Sequence, residues 1–199
     1  MDRLWSPWRS KYIQTFDESR SLSEKSETES KTFISFAIDS SEDELNLVLL
    51  RTKYSIIIMN KYPYNNGHLL VCPKRAINDL LDLTDNEFYD LNNTLKQAIK
   101  ILIKIYKPHG YNVGLNIGSA AGAGVPKHLH YHIVPRWEGD TNFMTTVADM
   151  KVMSQSMEES YTVLKKEFEQ IQVSNTELDK GLNKDENKDK DSLSDYKNT

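Results

Sequence analysis

Residues 128–137 read "HLHYHIVPRW", and the first five alternate histidine with an apolar or aromatic residue. Successive side chains of a strand point to opposite faces, so His128, His130 and His132 share one face and Leu129, Tyr131 and Ile133 the other. The apolar side accounts for burial against a core. Three of the chain's five histidines on the opposite side call for a chemical reason.

Imidazole offers two. The first is metal coordination, because three histidines can supply a catalytic zinc site with an open position. Three same-face positions span about 13 Å, so one ion is hard to reach from both ends without a bend; a set of His130, His132 and Glu138 avoids that difficulty. The second is phosphoryl chemistry, in which a neutral imidazole attacks phosphorus and a covalent intermediate divides one hard displacement into two easier ones. That chemistry needs an anion-binding surround. Gly118 and the loop "SAAGAGVPK" (119–127) lie immediately upstream. Gly118, Gly122 and Gly124 allow backbone N–H groups to face an anion without side-chain obstruction. A glycine-rich loop alone is often a plain turn, but joined directly to the histidines it favours phosphate over metal.

Working outward, "LNLVLL" (45–50), "YSIIIMN" (54–60) and "HLLVCP" (68–73) are short β-rich runs, the last two separated by the turn "KYPYNNG". Thr84 and Glu87 form a capping-box pattern, and Phe88, Leu91, Leu95, Ile99, Leu102 and Tyr106 follow at helical spacing. This predicts a helix ending near Pro108 and Gly110. "YNVGLNIG" (111–118) is a further strand candidate, and Met153, Met157, Tyr161, Leu164, Phe168 and Ile171 mark a last amphipathic helix. Strands, helix, strands, helix predict an α+β domain with helices on one face of an antiparallel sheet.

The net charge of −4, with no isolated basic cluster, argues against a nucleic-acid groove. A single cysteine, Cys72, forms no internal disulfide and fits a reducing compartment. "MDRLWSPWRSKYI" lacks a secretory apolar stretch, and no run approaches the roughly 20 apolar residues of a membrane span. The expectation is a cytoplasmic protein that binds neither membrane nor nucleic acid. Four segments are expected: 1–16 packed on the domain, 17–32 a flexible polar loop, 33–172 the domain itself, and 173–199 a disordered charged tail.

The run His128-Leu129-His130-Tyr131-His132-Ile133-Val134 resembles the signature of the histidine triad (HIT) family. "NKYPYNNGHLLVCPKR" is similar to the family's earlier strand-turn-strand. "HIVPRWEGDTNFM" and "LWSPWRSKYI" look like its bacterial diadenosine tetraphosphate phosphorylase branch. The resemblance implies a HIT-like fold of five antiparallel strands plus helices, dimerising into a continuous sheet. It also implies nucleotidyl transfer from a dinucleoside polyphosphate through a nucleotidyl-histidine, with inorganic phosphate as acceptor and ATP and ADP as products. A HIT-type hydrolase or phosphoramidase is the alternative within the family. A non-catalytic nucleotide-binding or scaffolding protein is the alternative of another class.

Carried over residue by residue, the resemblance makes His130 the nucleophile and places His132 against the phosphate or its leaving oxygen. His128 joins the network orienting the imidazoles, with His68 behind it. Asn60 would hold the ribose hydroxyls and Ile58 would line the base pocket. Asn116, Gly122 and the amides of Gly124 and Val125 would meet the phosphates, and Trp137 is the candidate for ligand stacking. Phe33 and Phe36 stand where many relatives carry a zinc-binding cysteine pair, so no metal is expected on the protein; Mg2+ would arrive only with the polyphosphate. Gly124 replaces a side chain with which hydrolytic relatives assist the leaving group, so His132 or the substrate itself must assist.

Overall fold

The computed structural model describes residues 32–141 and 153–170. The segments expected at 1–16 and 173–199 lie outside the described residues, as does the loop expected at 17–32 apart from Thr32. A short helix, α1 (Phe33–Asp39), opens the described chain, capped by the Thr32 hydroxyl, which accepts from the Ser35 N–H. Strands β1 (Val48–Arg51), β2 (Ser55–Met59) and β3 (Leu69–Pro73) follow, then α2 (Asp85–Tyr106), β4 (Gly110–Leu115) and β5 (Tyr131–Arg136). Residues 157–170 form α3. The five strands make one antiparallel sheet in the order β1-β2-β3-β5-β4.

Alternation along the strands divides the core in two. Ile57, Met59, Leu69, Val71 and Ile133 point to one face, where they bury Leu91, Ala98, Ile101 and Leu102 of α2 and Tyr161, Leu164 and Phe168 of α3. The two helices legible in the sequence therefore share one face of the sheet. Ile56, Ile58, Leu70 and Cys72 point the other way and pack with Val48, Val125, and Ile34 and Ala37 of α1. No helix was expected over 33–39; α1 has only two turns and stands on a single hydroxyl cap. Arg51 fixes its far end, donating to the carbonyls of Ala37, Ile38 and Ser40 and to Asp43.

The capping box of α2 is present as the sequence predicts. The Glu87 N–H donates to the Thr84 hydroxyl, and the Glu87 carboxylate accepts from the Thr84 N–H at 2.9 Å. Arg75 also donates to that carboxylate, and together these partners hold Glu87 down at about 2. Phe88 departs from its predicted role, being 45% exposed and edge-on to Tyr89 instead of in the core. The strand predicted from residue 45 starts only at Val48, because residues 43–47 fold into turns and Leu47 has φ +56°. Met153 precedes α3, and Ile171 lies outside the described residues.

The histidine run is only partly strand. Pairing of β5 with both β3 and β4 ends at Tyr131, so His132 is in the ladder whereas His128 and His130 precede it. Between them the Leu129 N–H donates to the Ile77 carbonyl at 2.6 Å instead of to a sheet strand.

Thr84→Ala should lower stability by about 1 kcal/mol, which for a chain of this size is a fall in Tm of roughly 2–4 °C. A thermal melt followed by circular dichroism checks it.

Candidate active site

In the β3–β5 register Leu70 lies opposite His132. His68, two residues before Leu70, therefore emerges on the same face as His132, the face that carries α1 and not α2. The turn delivering His68 is tightly held. Gly67 has φ +71°, and a Cβ there would sit 2.7 Å from the Tyr106 ring. Asn65 donates to the Pro135 carbonyl at 3.0 Å and to Asp140 at 2.8 Å, tying the turn to the end of β5.

The imidazole contacts fix a chain of protons. The Tyr64 N–H donates to His68 Nδ1 at 3.0 Å, and the Asn60 amide also faces that nitrogen at 3.2 Å. An Nδ1 that accepts leaves the proton on Nε2. His68 Nε2 is 3.0 Å from His132 Nδ1, so this N–H donates to His132 and places the His132 proton on its own Nε2. His130 is set the opposite way. Its Nδ1–H donates to the His128 carbonyl at 2.8 Å, leaving the lone pair on Nε2. His128 in turn donates from Nε2 to the Pro73 carbonyl at 2.8 Å. The His130 and His132 rings meet edge to face with centroids 4.8 Å apart. The site thus places a basic imidazole nitrogen and an N–H donor side by side.

Burial supports that protonation. His130 is 5% exposed, and burial pushes its pKa below the usual histidine value despite the opposing hydrogen bond to the His128 carbonyl. His128 is lowered for the same reason, opposed by the Pro73 carbonyl and reinforced by neighbouring His130. Both rings are neutral at neutral pH, as a nucleophile requires. The Cys72 thiol is buried, its pKa pushed up, and it takes no part.

The glycine loop closes on itself. Gly118 and Gly122 have φ of +80° and +82°, and the Asn116 amide donates to the Gly122 carbonyl at 3.3 Å. The Gly122 N–H donates to the Ser119 carbonyl. Asn116 and Gly122 therefore shape the loop, with the Gly122 N–H taken by Ser119 and one of the two Asn116 amide hydrogens by Gly122. Among the described residues, the Gly124 and Val125 amides have no acceptor. The Val125 carbonyl accepts from the His128 N–H, joining loop to histidines.

Three expected residues are placed differently. Asn60 reaches the site, but its carboxamide is bound to His68 and to the Tyr62 N–H at 3.0 Å, so it orients an imidazole. Ile58 is 1% exposed, its side chain filling the cluster beneath α1. Trp137 is on the helix side of the sheet, edge-on to Tyr106 with centroids 6.4 Å apart, away from the histidines. The alternative metal set of His130, His132 and Glu138 is not assembled: among the described residues no group of three His, Cys, Asp or Glu could hold an ion. Asn65 and Asp140 escaped the sequence reading, because "YNNG" is indistinguishable from an ordinary turn until its partner strand is known.

A buried imidazole with its lone pair on Nε2, an adjacent imidazole N–H and two loop amides without an acceptor among the described residues form an arrangement able to transfer a group at phosphorus. The HIT domain model matches residues 42–139. An AP-4-A phosphorylase of Mycobacterium tuberculosis is 39% identical over 168 residues, covering 84% of this chain and 85% of that protein. A bis(5'-nucleosyl)-tetraphosphatase of Schizosaccharomyces pombe is 39% identical over 93 residues, covering 47% of this chain and 50% of that one. Among solved structures, a hypothetical histidine triad nucleotide-binding protein of Sulfolobus tokodaii superposes with a TM-score of 0.54 at 28% identity, covering 69% of this chain and 89% of that one. The chain belongs to the histidine triad family.

Because the folded pKa values of His128 and His130 are lowered, their contribution to stability is complete above the unfolded value of about 6.5. It is lost as pH falls toward the folded values. The urea midpoint should therefore drop between about pH 7.5 and about pH 5.5, and drop less in His128→Gln.

Proposed function

We propose that this chain is a cytoplasmic phosphorylase that converts diadenosine tetraphosphate and inorganic phosphate to ATP and ADP. The observation carrying the proposal is a pair of contacts, His130 Nδ1 on the His128 carbonyl and His132 Nδ1 on His68 Nε2, from which the lone pair of His130 and the proton of His132 both fall on Nε2. The similarity to the mycobacterial AP-4-A phosphorylase over most of both chains supports the substrate.

In the first step His130 Nε2 attacks the α-phosphorus, a P–N bond forms, and the bridging P–O bond breaks to release ATP. The His132 N–H bonds the phosphoryl or departing oxygen, while the Gly124 and Val125 amides offset charge on the other oxygens; donors of this kind are each worth roughly 10²–10³ in rate. In the second step a phosphate oxygen attacks the adenylyl-histidine, the P–N bond breaks, ADP forms and the imidazole is restored. Any Mg2+ enters with the polyphosphate, not as a resident of the protein.

A hydrolytic reading, in which water replaces phosphate in the second step, is favoured by the similarity to the Schizosaccharomyces pombe tetraphosphatase. Incubation with diadenosine tetraphosphate separates the two. ATP and ADP formed only with phosphate, and only with His130 intact, is the phosphorylase outcome; AMP and ATP without phosphate is the hydrolase outcome. His130→Ala should reduce either turnover by at least about 10³-fold while nucleotide affinity stays near normal. Turnover undiminished in that variant would overturn the covalent route.

The protein also acts as a homodimer in this reading. β4 is an edge strand, and Tyr111, Val113 and nearby Ile117 are exposed. Such an edge pairs readily with a second copy. Sedimentation should give the mass of two chains, and Val113→Glu should shift it toward one.

A further inference from the structure

Arg136 ends β5 on the face that carries His132, since side chains four positions apart on a strand point the same way. In the β4–β5 register His132, Val134 and Arg136 lie opposite Gly114, Asn112 and Gly110. The cluster beneath α1 draws on β1, β2 and β3, so β4 lies beyond it. On β4 this face carries little bulk: a Cβ at Gly110 or Gly114 would meet nothing within 4 Å, and Asn112 between them is exposed. The Arg136 guanidinium leans over that strand, donating from Nη1 to Asn112 Oδ1 at 3.1 Å. Asp140 grips it from behind, accepting from Nε at 2.7 Å and from Nη2 at 2.9 Å. A guanidinium has five N–H donors in a planar fork. Three are engaged here, and among the described residues the second hydrogen of each Nη has no acceptor. The Arg136 side chain is 46% exposed.

We propose that Arg136 binds the distal phosphates of the leaving half of a dinucleoside polyphosphate. From His132, beside the attacked α-phosphorus, the chain passes over bare Gly114 and along Asn112 to the guanidinium. Because Nη1 sits on Asn112, the fork lies one two-residue step along β4 from the level of Gly114 and His132, a distance of about 7 Å that an extended tetraphosphate spans. Arginine suits such a task, since its fork matches phosphate oxygens with two parallel donors. The ion pair with Asp140 holds the fork in place before the ligand arrives, which lowers the entropy lost on binding. Both Asp140 oxygens also accept from other donors, Oδ2 from Asn65 and the Trp137 N–H and Oδ1 from Thr141, which offsets the repulsion between this carboxylate and a phosphate. The proposal rests on nucleotidyl transfer at His130 and adds to it a site for the group that departs.

The experiment compares two substrates of the full-length protein: diadenosine tetraphosphate, and the p-nitrophenyl ester of AMP, whose leaving group has no phosphate. In Arg136→Gln, kcat/KM for the dinucleotide should fall roughly 10- to 100-fold, the loss expected for a charged hydrogen bond to phosphate, while that for the ester stays within about twofold. Asn112→Asp leaves the Arg136–Asp140 pair intact and puts a negative charge on the path, so it should show the same selective loss. Equal losses on both substrates, as a general disturbance of the β5 end would give, or an undiminished rate on the dinucleotide in either variant, would overturn the proposal. If wild type turns over neither substrate, the reading of the reaction fails. Calorimetric affinities for diadenosine tetraphosphate and AMP then decide the subsite: a loss in Arg136→Gln confined to the dinucleotide upholds it, and any other pattern removes it.

Discussion

The structure depends on the register between β3 and β5, which sets Leu70 opposite His132. A slip of one residue would send His132 to the helix face and an apolar neighbour to the site. In the observed register His68 and His132 meet at 3.0 Å, and the apolar partners of both strands remain under α2 and α3. Packing and chemistry are therefore specified by one alignment, with the large helix face supplying the free energy that holds it.

Burying imidazoles is costly unless their polar atoms are paired. Here His68, His128 and His130 are all almost wholly buried, and each has one ring nitrogen paired with a backbone group: the Tyr64 N–H, the Pro73 carbonyl and the His128 carbonyl, while His128 Nδ1 is buried without a partner among the described residues. Backbone partners cannot titrate. The protonation pattern of the site is thereby tied to the fold, and its neutral state persists because burial outweighs the carbonyl contacts at His128 and His130.

The sequence disclosed the nature of the fold and the histidines that the structure brings together, for identifiable physical reasons. The short β-rich runs of β2 and β3, the Thr84–Glu87 box and the spacing along α2 are local signals, and each is present in the structure. The family, its dinucleoside polyphosphate relatives and the five-stranded sheet agree with the histidine signature. What local signals lack is a partner across the chain. Ile58 and Trp137 stand on strands or beside them, and only their neighbours α1 and Tyr106 decide which way they serve. The start of β5 at Tyr131 was hidden for the same reason, since alternation continues upstream of the point where its partner strands end. Asn65 looked like a turn residue because it is one, and its bonds to Pro135 and Asp140 appear only once the end of β5 is in place.

Asp43 lies far from this chemistry, yet it governs how the molecule can come apart. It accepts from Arg51 at 2.9 Å and from Lys165 at 3.0 Å, and those charges and hydrogen bonds outweigh burial to keep its carboxyl below the usual range. Arg51 clasps the end of α1 on one side of the sheet, while Lys165 belongs to α3 on the other. The two layers are thus laced around the β1 edge, and α1 loses an anchor whenever α3 lifts away. Hydrogen exchange in the helix over the site and in the helix behind it would then report a single opening unit, not two independent ones.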